Sequence, residues 1–585
     1  MLSLTSPLSP AARSAALDGL RETELDILVI GAGVTGAGCA LDAVTRGLRV
    51  GLVEARDFAA GTSSRSTKLF HGGLRYLEHL NFALVFEALK ERSLTLNKLA
   101  PHLTKPVQFV YPLQRRVVSR GYAGLGIGVY DVMGAGRGVP QHLRHLSRRR
   151  TLQIFPAARP DALQGAISFY EGQVDDARHT MMLARTAAHY GALCASSTRV
   201  IGFLRDGEQV LGVRVRDLES GAEFGIRARQ TINAAGVWID ELQDMLSAKV
   251  EFRIRASKGI HLLVPRDRIQ ADAGLITRTE KSLLFVIPWG SGAAVGTDAG
   301  QFWIIGTTDT DWQLDRAHPA ASAADIEYLL QRVNALLADP LTRNDIVGVY
   351  AGLRPLLAGE SDPTSKLSRE HAVATSVPGL VTIAGGKYTT YRVMAKDAVD
   401  AAVLGLHQQV SPCCTEDVPL LGAEGYAALW NARTLIAAES GLPPHQVERL
   451  INRYGSLLPE LLDMIKDSPA LALSLDGAPH YLKVEMMYGA SHEGALHLDD
   501  FLTRRTHISI ETPDRGVRAA AEVAGLVAPV LGWDQADIVR EVSHYRLRVA
   551  AELESQDQAD DHSADAARLG APDVRMGGKG LAESR

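Results

Sequence analysis

The chain has 585 residues, 46% of them hydrophobic and 22% charged, with a net charge of −5. That length exceeds what one simple hydrophobic core serves and predicts two or three domains of an ordinary soluble protein. No apolar run approaches the roughly eighteen residues that span a bilayer. The four cysteines, Cys39, Cys194, Cys413 and Cys414, show neither metal-ligand spacing nor a disulfide framework, which points to reduced thiols in a cytoplasmic protein without a metal site.

Residues 1–23 lack the apolar centre of a signal peptide, and Asp18 and Glu22 argue against a transit peptide, so they read as a disordered extension. An apolar strand over residues 26–30 then runs into Gly31-Ala32-Gly33-Val34-Thr35-Gly36, and a small-residue segment over 39–45 reads as a helix. In this G-x-G-x-x-G pattern Gly31 permits a tight turn, Gly33 lets the backbone approach a pyrophosphate, and Gly36 lets the helix pack close on the sheet. Phosphates then rest on N–H groups at the positive end of the helix. A second apolar strand, 49–53, ends in Glu54, whose carboxylate can accept both hydroxyls of an adenosine ribose. The combination specifies a dinucleotide site and leaves NAD and FAD both open.

The next segment favours a flavin. Residues 62–77 gather Thr62, Ser63, Ser64, Lys68, His71, Gly72 and Gly73 directly after Glu54. Hydroxyls and exposed N–H groups suit an extended cofactor with a pyrophosphate, a ribityl chain and a flavin. Further on, residues 115–150 hold Arg115, Arg116, Arg120, Arg137, Arg144, Arg148, Arg149 and Arg150 around an apolar stretch at 122–133 that is too short to span. Basic residues flanking an apolar patch suit a surface touching anionic lipid; a solvated basic face is the alternative, and no nucleic-acid motif accompanies it. His261 lies in an apolar, strand-like run and reads either as a satisfied core residue or as a base. Gly385-Gly386-Lys387-Tyr388-Thr389-Thr390 precedes a helix over 393–404, with Thr389 and Thr390 placed to cap it. The break around Pro412 and Pro419 opens a helical domain over 411–554, patterned as Val447-x-x-Leu450-Ile451 and Leu457-Leu458-x-x-Leu461-Leu462. Residues 555–585 carry few large apolar side chains and read as a disordered tail.

The string TSSRSTKLFHGGLRYLE resembles the signature of FAD-dependent glycerol-3-phosphate dehydrogenases. Matching pieces recur at residues 173–184, 233–242, 257–265, 285–289, 304–311, 350–356 and 384–392. The resemblance covers most of residues 24–550 and places the chain among D-amino-acid-oxidase-like flavoproteins. It implies an α/β fold: a Rossmann-type FAD domain over 24–410, an antiparallel-sheet substrate cap inserted at 101–165 and 241–345, and an all-α C-terminal domain. Two departures stand out: Ala32 and Thr35 replace residues that relatives often carry as Gly and Asn, and the stretch 290–302 is longer than typical.

The same resemblance implies oxidation of sn-glycerol 3-phosphate to dihydroxyacetone phosphate, with hydride passing to FAD and electrons to a membrane quinone. It also implies a homodimer docked peripherally on the cytoplasmic membrane. A phosphate dianion favours guanidinium forks; the resemblance assigns Arg75, Arg354 and Arg369 to substrate binding and carries over Tyr76 and Lys387 in the same way. It matches His261 to an active-site histidine, whose imidazole can take a hydroxyl proton near neutrality, and leaves His71 to the flavin surroundings. Apart from the resemblance, Gly385 and Gly386 allow close approach and favour a helix N-terminus set against the flavin's N1–C2=O edge over a plain capped helix. An oxidase delivering electrons to oxygen, an amine or 2-hydroxy-acid oxidase, and a non-catalytic FAD-binding regulator stand as the other readings.

Overall fold

The computed structural model describes residues 8–71, 82–113, 144–246, 252–280, 282–290, 301–358 and 371–576. The expectations for Gly72, Gly73, Arg75, Tyr76, Arg369, Arg115, Arg116, Arg120, Arg137, the apolar stretch 122–133 and most of the 290–302 loop lie outside the described residues.

An eight-stranded sheet carries the glycine turn. Its main path runs β17 (His371–Val377), β18 (Leu380–Gly385), β10 (Glu223–Asn233), β1 (Leu25–Ile30), β2 (Val50–Val53) and β7 (Leu193–Ala195), with β8 (Thr198–Asp206) and β9 (Gln209–Asp217) attached through β10. All six residues of β1 are buried, as expected of a central strand paired in parallel with both β10 and β2. The first helix-forming segment after the turn, α2 (Val34–Thr45), begins five residues earlier than the small-residue run indicates and buries ten of its twelve residues.

A ten-stranded, mostly antiparallel sheet faces it. It is built from β3 (Leu69–Phe70), β4 (Thr104–Pro112), β5 (Arg144–Ser147), β6 (Gly165–Val174), β11 (Ile254–Pro265), β12 (Gly274–Arg278), β13 (Leu283–Trp289), β14 (Phe302–Gly306), β15 (Thr310–Trp312) and β16 (Gly348–Leu357). This sheet runs past the cap limits expected at 165 and 345. Strand β6 pairs with β4 over nine residues and β16 with β11 over ten, so both belong to the cap sheet although the expected limits left them in the FAD domain. The C-terminal region is helical, with Pro444–Tyr454 and Leu458–Asp467 where the apolar spacing placed them; a short hairpin, Ser474–Leu475 with Ala478–Leu482, interrupts it.

Two segments read as disordered are ordered. Residues 10–22 form α1 (Pro10–Glu22), with Ser9 accepting from the Ala12 amide at its start. Leu20 is fully buried, and Arg13 donates to Ser196 O at 2.9 and 3.0 Å and to Asp217 at 2.6 Å. Residues 555–576 continue the helix Gln535–Asp557 into a second helix, Asp561–Arg568, and a turn at Val574–Met576. Both segments are short of bulky apolar residues, but each is fastened by ionic contacts to distant parts of the chain, which composition does not report.

A buried ionic knot joins the glycine-turn domain to the helical region. Asp57, wholly buried just beyond β2, accepts from Arg504 at 2.6 Å and from Arg505 at 2.7 and 2.8 Å. Breaking a buried pair by removing one partner costs about 3–5 kcal/mol, because the surviving charge stays out of water. Asp57→Asn is therefore expected to lower the thermal unfolding midpoint by several degrees in differential scanning calorimetry; an unchanged midpoint contradicts a stabilising role for the knot.

Candidate active site

The turn after β1 is held open by missing side chains. Gly31 has φ +97° and donates its amide to Val53 O at 2.8 Å; a Cβ there would lie 2.9 Å from Ala234 O. A Cβ on Gly36 would collide with Gly31 O, so Gly36 sets how closely α2 approaches the strand and does not itself face a ligand. Gly33 is the extended N-cap of α2, and the first helical amide, Val34 N–H, donates to Ser63 Oγ at 2.9 Å. At the end of β2, the two Glu54 oxygens accept from the Ala32 and Arg56 amides at 2.8 and 2.9 Å. Each oxygen keeps a second lone pair for an incoming hydroxyl. Burial raises the Glu54 carboxyl and the two amides partly offset it.

From this turn a cavity of about 530 Å³ extends to the second sheet. Its wall is formed by Gly31, Gly33 and Glu54, by Thr62, Ser63 and His71, by Gly259 and His261 of β11, by Arg354 of β16, and by Gly385, Gly386 and Lys387. A cavity of this size, which mixes apolar surface with charged and hydroxyl-bearing side chains such as Glu54, Thr62, Arg354 and Lys387, suits a large polar cofactor and a charged substrate. The glycine cradle, the carboxylate at the end of β2 and the hydroxyls of Thr62 and Ser63 fit a flavin dinucleotide.

The far wall depends on strand register. β11 and β16 pair antiparallel so that His261 lies opposite Tyr350 and Ser257 opposite Arg354. The rings of His261 and Tyr350 stack at 4.7 Å and 10°. On its other edge β11 pairs with β14, placing Gly306 beside His261, where a Cβ would strike the imidazole. His261 Nε2 lies 3.2 Å from Thr67 Oγ1, and Nδ1 is buried with no hydrogen-bond partner among the described residues. Burial first, then the charges of Arg354 and Lys68, hold its pKa well below 6.5. The imidazole is therefore neutral at pH 7 and able to accept a proton.

Arg354 is steadied from one side. It donates to Thr307 Oγ1 at 2.9 Å and to Thr308 O at 3.2 Å, and lies 3.8 Å from Asp309, which accepts in turn from Ser257 Oγ. Only a glycine fits at 259, because a Cβ there would overlap the guanidinium. Gly385 and Gly386 both have positive φ, +74° and +78°, and a Cβ on Gly386 would lie 2.5 Å from Met394 Sδ. Lys387 follows in extended backbone, and the Tyr388 hydroxyl donates to Asp176 O at 2.8 Å.

Three expected site residues do other work. Lys68 is buried and lines no part of the cavity, with Nζ 2.5 Å from Asp176 Oδ1 and 3.2 Å from Ser64 O. Ser64 is buried beside it and lines no part of the cavity. Thr389 does not cap the following helix, Tyr391–Leu404, which begins without a side-chain cap. Its hydroxyl instead accepts from His71 N–H at 3.1 Å and donates to His71 O at 3.2 Å, pinning a cavity residue. The residue pattern did not mark Tyr350, the first residue of the matching piece 350–356, or Trp238, which packs over Gly61. It also missed Arg56 and Arg65, whose guanidinium groups both donate to Ala317 O, at 3.0 and 3.3 Å.

A family profile described as FAD dependent oxidoreductase matches residues 26–392, and one described as the C-terminal domain of alpha-glycerophosphate oxidase matches residues 413–538. The chain is 57% identical over 568 residues to glycerol-3-phosphate dehydrogenase 2 of Mycobacterium tuberculosis, covering 97% of this chain and 95% of that one. It is 36% identical over 577 residues to the mitochondrial glycerol-3-phosphate dehydrogenase of Mus musculus, covering 94% and 76%. The X-ray structure of the glycerol-3-phosphate dehydrogenase from Bacillus halodurans complexed with FAD superimposes with a TM-score of 0.76 at 29% identity, covering 93% and 98%. The chain belongs to the FAD-dependent oxidoreductases, in their glycerol-3-phosphate dehydrogenase family.

Proposed function

We propose that this protein oxidises sn-glycerol 3-phosphate to dihydroxyacetone phosphate and passes the electrons to a membrane quinone. The observation that carries this reading is the meeting of a neutral imidazole and a guanidinium in the cavity that begins at the glycine turn: His261 and Arg354, on paired strands. FAD, when bound, supplies the acceptor for the hydride leaving the substrate's secondary carbon. His261 takes the hydroxyl proton; Tyr350 holds its ring by stacking, and burial, reinforced by the neighbouring cations, keeps it unprotonated before substrate binds. Arg354 presents a fork already oriented by Thr307 and Thr308 to the phosphate, and Lys387 adds a second positive charge to the same wall. Arg75, Tyr76 and Arg369 complete the phosphate clamp in this reading. When FAD is bound, Glu54 would hold the adenosine ribose, and the turn and first amides of α2 around Gly33 and Thr35 would receive the pyrophosphate.

Membrane contact rests on the exposed Arg144, Arg148, Arg149 and Arg150, at β5 and the short helix after it. Among the described residues no helix is long and apolar enough to cross a membrane. Charge reversal at Arg148, Arg149 and Arg150 is expected to move the protein from membrane to soluble fractions on flotation; unchanged partitioning contradicts peripheral docking through this face. A homodimer is part of the same proposal.

Anaerobic addition of sn-glycerol 3-phosphate to the yellow protein is expected to bleach the flavin, with glycerol and a D-amino acid leaving it oxidised. Bleaching by the amino acid and not by the phosphate ester overturns the substrate assignment, and stoichiometric peroxide under air replaces the quinone by oxygen. His261→Asn is expected to lower kcat by about 10²–10⁴, the usual contribution of a positioned general base, while flavin content stays at the wild-type level. Because the imidazole must be neutral to act, kcat/KM falls only as pH drops through its depressed pKa, so the acid limb lies below pH 6.5. An acid limb above 6.5 that survives in the variant rules out His261 as the base. Glu54→Ala leaves two backbone donors without their acceptor, at about 1–3 kcal/mol, and is expected to weaken FAD binding about tenfold or more by flavin-fluorescence titration; unchanged affinity excludes Glu54 from the ribose.

A further inference from the structure

The C-terminal segment converges on the cofactor cavity. Asp573 lies 3.1 Å from Arg56 Nε and 3.6 Å from His318 Nε2. Two residues later, Arg575 donates through Nε to Ser197 Oγ at 2.9 Å and through Nη2 to Asp500 at 2.9 and 3.2 Å. Both contacts bear on the end of the cavity marked by Glu54. Arg56 lines that cavity, its amide donates to Glu54, and its guanidinium donates to Ala317 O, itself part of the wall. Ser197, in left-handed backbone at φ +55°, donates its amide to Arg56 O at 2.7 Å, and the next amide, Thr198 N–H, reaches Glu54 O at 2.7 Å. Asp573 thus holds the Arg56 side chain directly, and Arg575 steadies the Arg56 backbone through Ser197, with Val574 buried between them.

The rest of the segment is fastened to the other wall. Lys258 of β11, fully buried three residues before His261, reaches Asp325 at 2.6 Å and Asp561 at 2.5 Å. Ala323 N–H donates to Gln558 O at 2.8 Å. Ala564 is buried in an apolar cluster with Val237 and Leu353, both cavity residues. Residues 558–576 therefore touch the glycine-turn sheet, the cap sheet and, through Asp500, the helical region.

We propose that residues 558–576 form a clasp that completes the FAD site, with Asp573 and Arg575 as positioning residues that hold Arg56 and the Glu54 end of the cavity in their binding geometry. The clasp touches no reacting atom; it acts through Arg56 and Ser197. Coupling between two sites is reciprocal, so a segment that tightens FAD is itself tightened by FAD. The proposal takes FAD as the occupant of the cavity, and the flavin content of the wild-type protein tests that separately.

The test is hydrogen exchange on the full-length chain, with and without FAD, combined with FAD titration of Asp573→Asn and Asp573→Glu. Amides in 559–576 are expected to exchange about tenfold more slowly in the FAD-loaded protein than in the apoprotein. Asp573→Asn is expected to raise the Kd for FAD about tenfold, with Asp573→Glu restoring most of it and Asp161→Asn, at an exposed pair with Arg159, leaving it unchanged. Equal exchange of the segment in the apo and loaded wild-type protein overturns the clasp, as does wild-type affinity in a folded Asp573→Asn variant. The wild-type exchange comparison decides the matter even where the variant does not fold.

Discussion

Everything at this site depends on how closely α2 approaches β1. Gly36 carries no side chain because the Gly31 carbonyl occupies the space its Cβ would need, and Gly31 carries none because its φ is positive and the Ala234–Ala235 backbone crowds it. That approach directs the helix's first amides toward the ends of β1 and β2, where Glu54 waits and where Ser63 reaches back to Val34. Strand, helix and carboxylate are thus one rigid unit, and the dinucleotide chemistry follows from packing before any ligand contributes.

The reacting half rests on a second constraint, the ten-residue pairing of β11 with β16. A slip of one residue would put His261 and Arg354 on opposite faces of the sheet, since side chains alternate along a strand. Glycines at 259, 306 and 352 keep the register usable by leaving room for Arg354, His261 and the Arg65 backbone respectively. The same geometry sets the electrostatics. Burial first, and then the charges of Arg354 and Lys68, keep the His261 imidazole neutral, so the group that must accept a proton is protected from receiving one early.

How much of this was legible in the sequence follows from what each feature requires. The turn at 31–36, Glu54 and the 385–387 glycines announce themselves because special backbone conformations demand particular residue types at fixed spacing. Arg354 and His261 were legible through motif resemblance, since an arginine or histidine in a strand carries no local mark of its partners. Lys68 was grouped with the cofactor residues because it stands in a run of hydroxyls and glycines after Glu54, whereas its partner, Asp176, lies 108 residues away. Thr389 was misread for a related reason: its acceptor and donor are both on His71, far along the chain. The termini failed most plainly. Residues 10–22 and 558–576 have too few large apolar side chains to signal a core, and they are held by Arg13, Asp573, Arg575 and Asp561, whose partners appear only in three dimensions.

The central claim is that Arg354 holds a phosphate ester beside the flavin. Its most direct test is an anaerobic titration of the oxidised holoprotein with dihydroxyacetone phosphate, followed by flavin absorbance, in the wild type and in Arg354→Met. The account predicts a saturable spectral perturbation in the wild type that weakens at least tenfold in the variant, consistent with loss of a charge-assisted pair, at equal flavin content. Equal binding by both proteins would place the phosphate elsewhere and contradict the account.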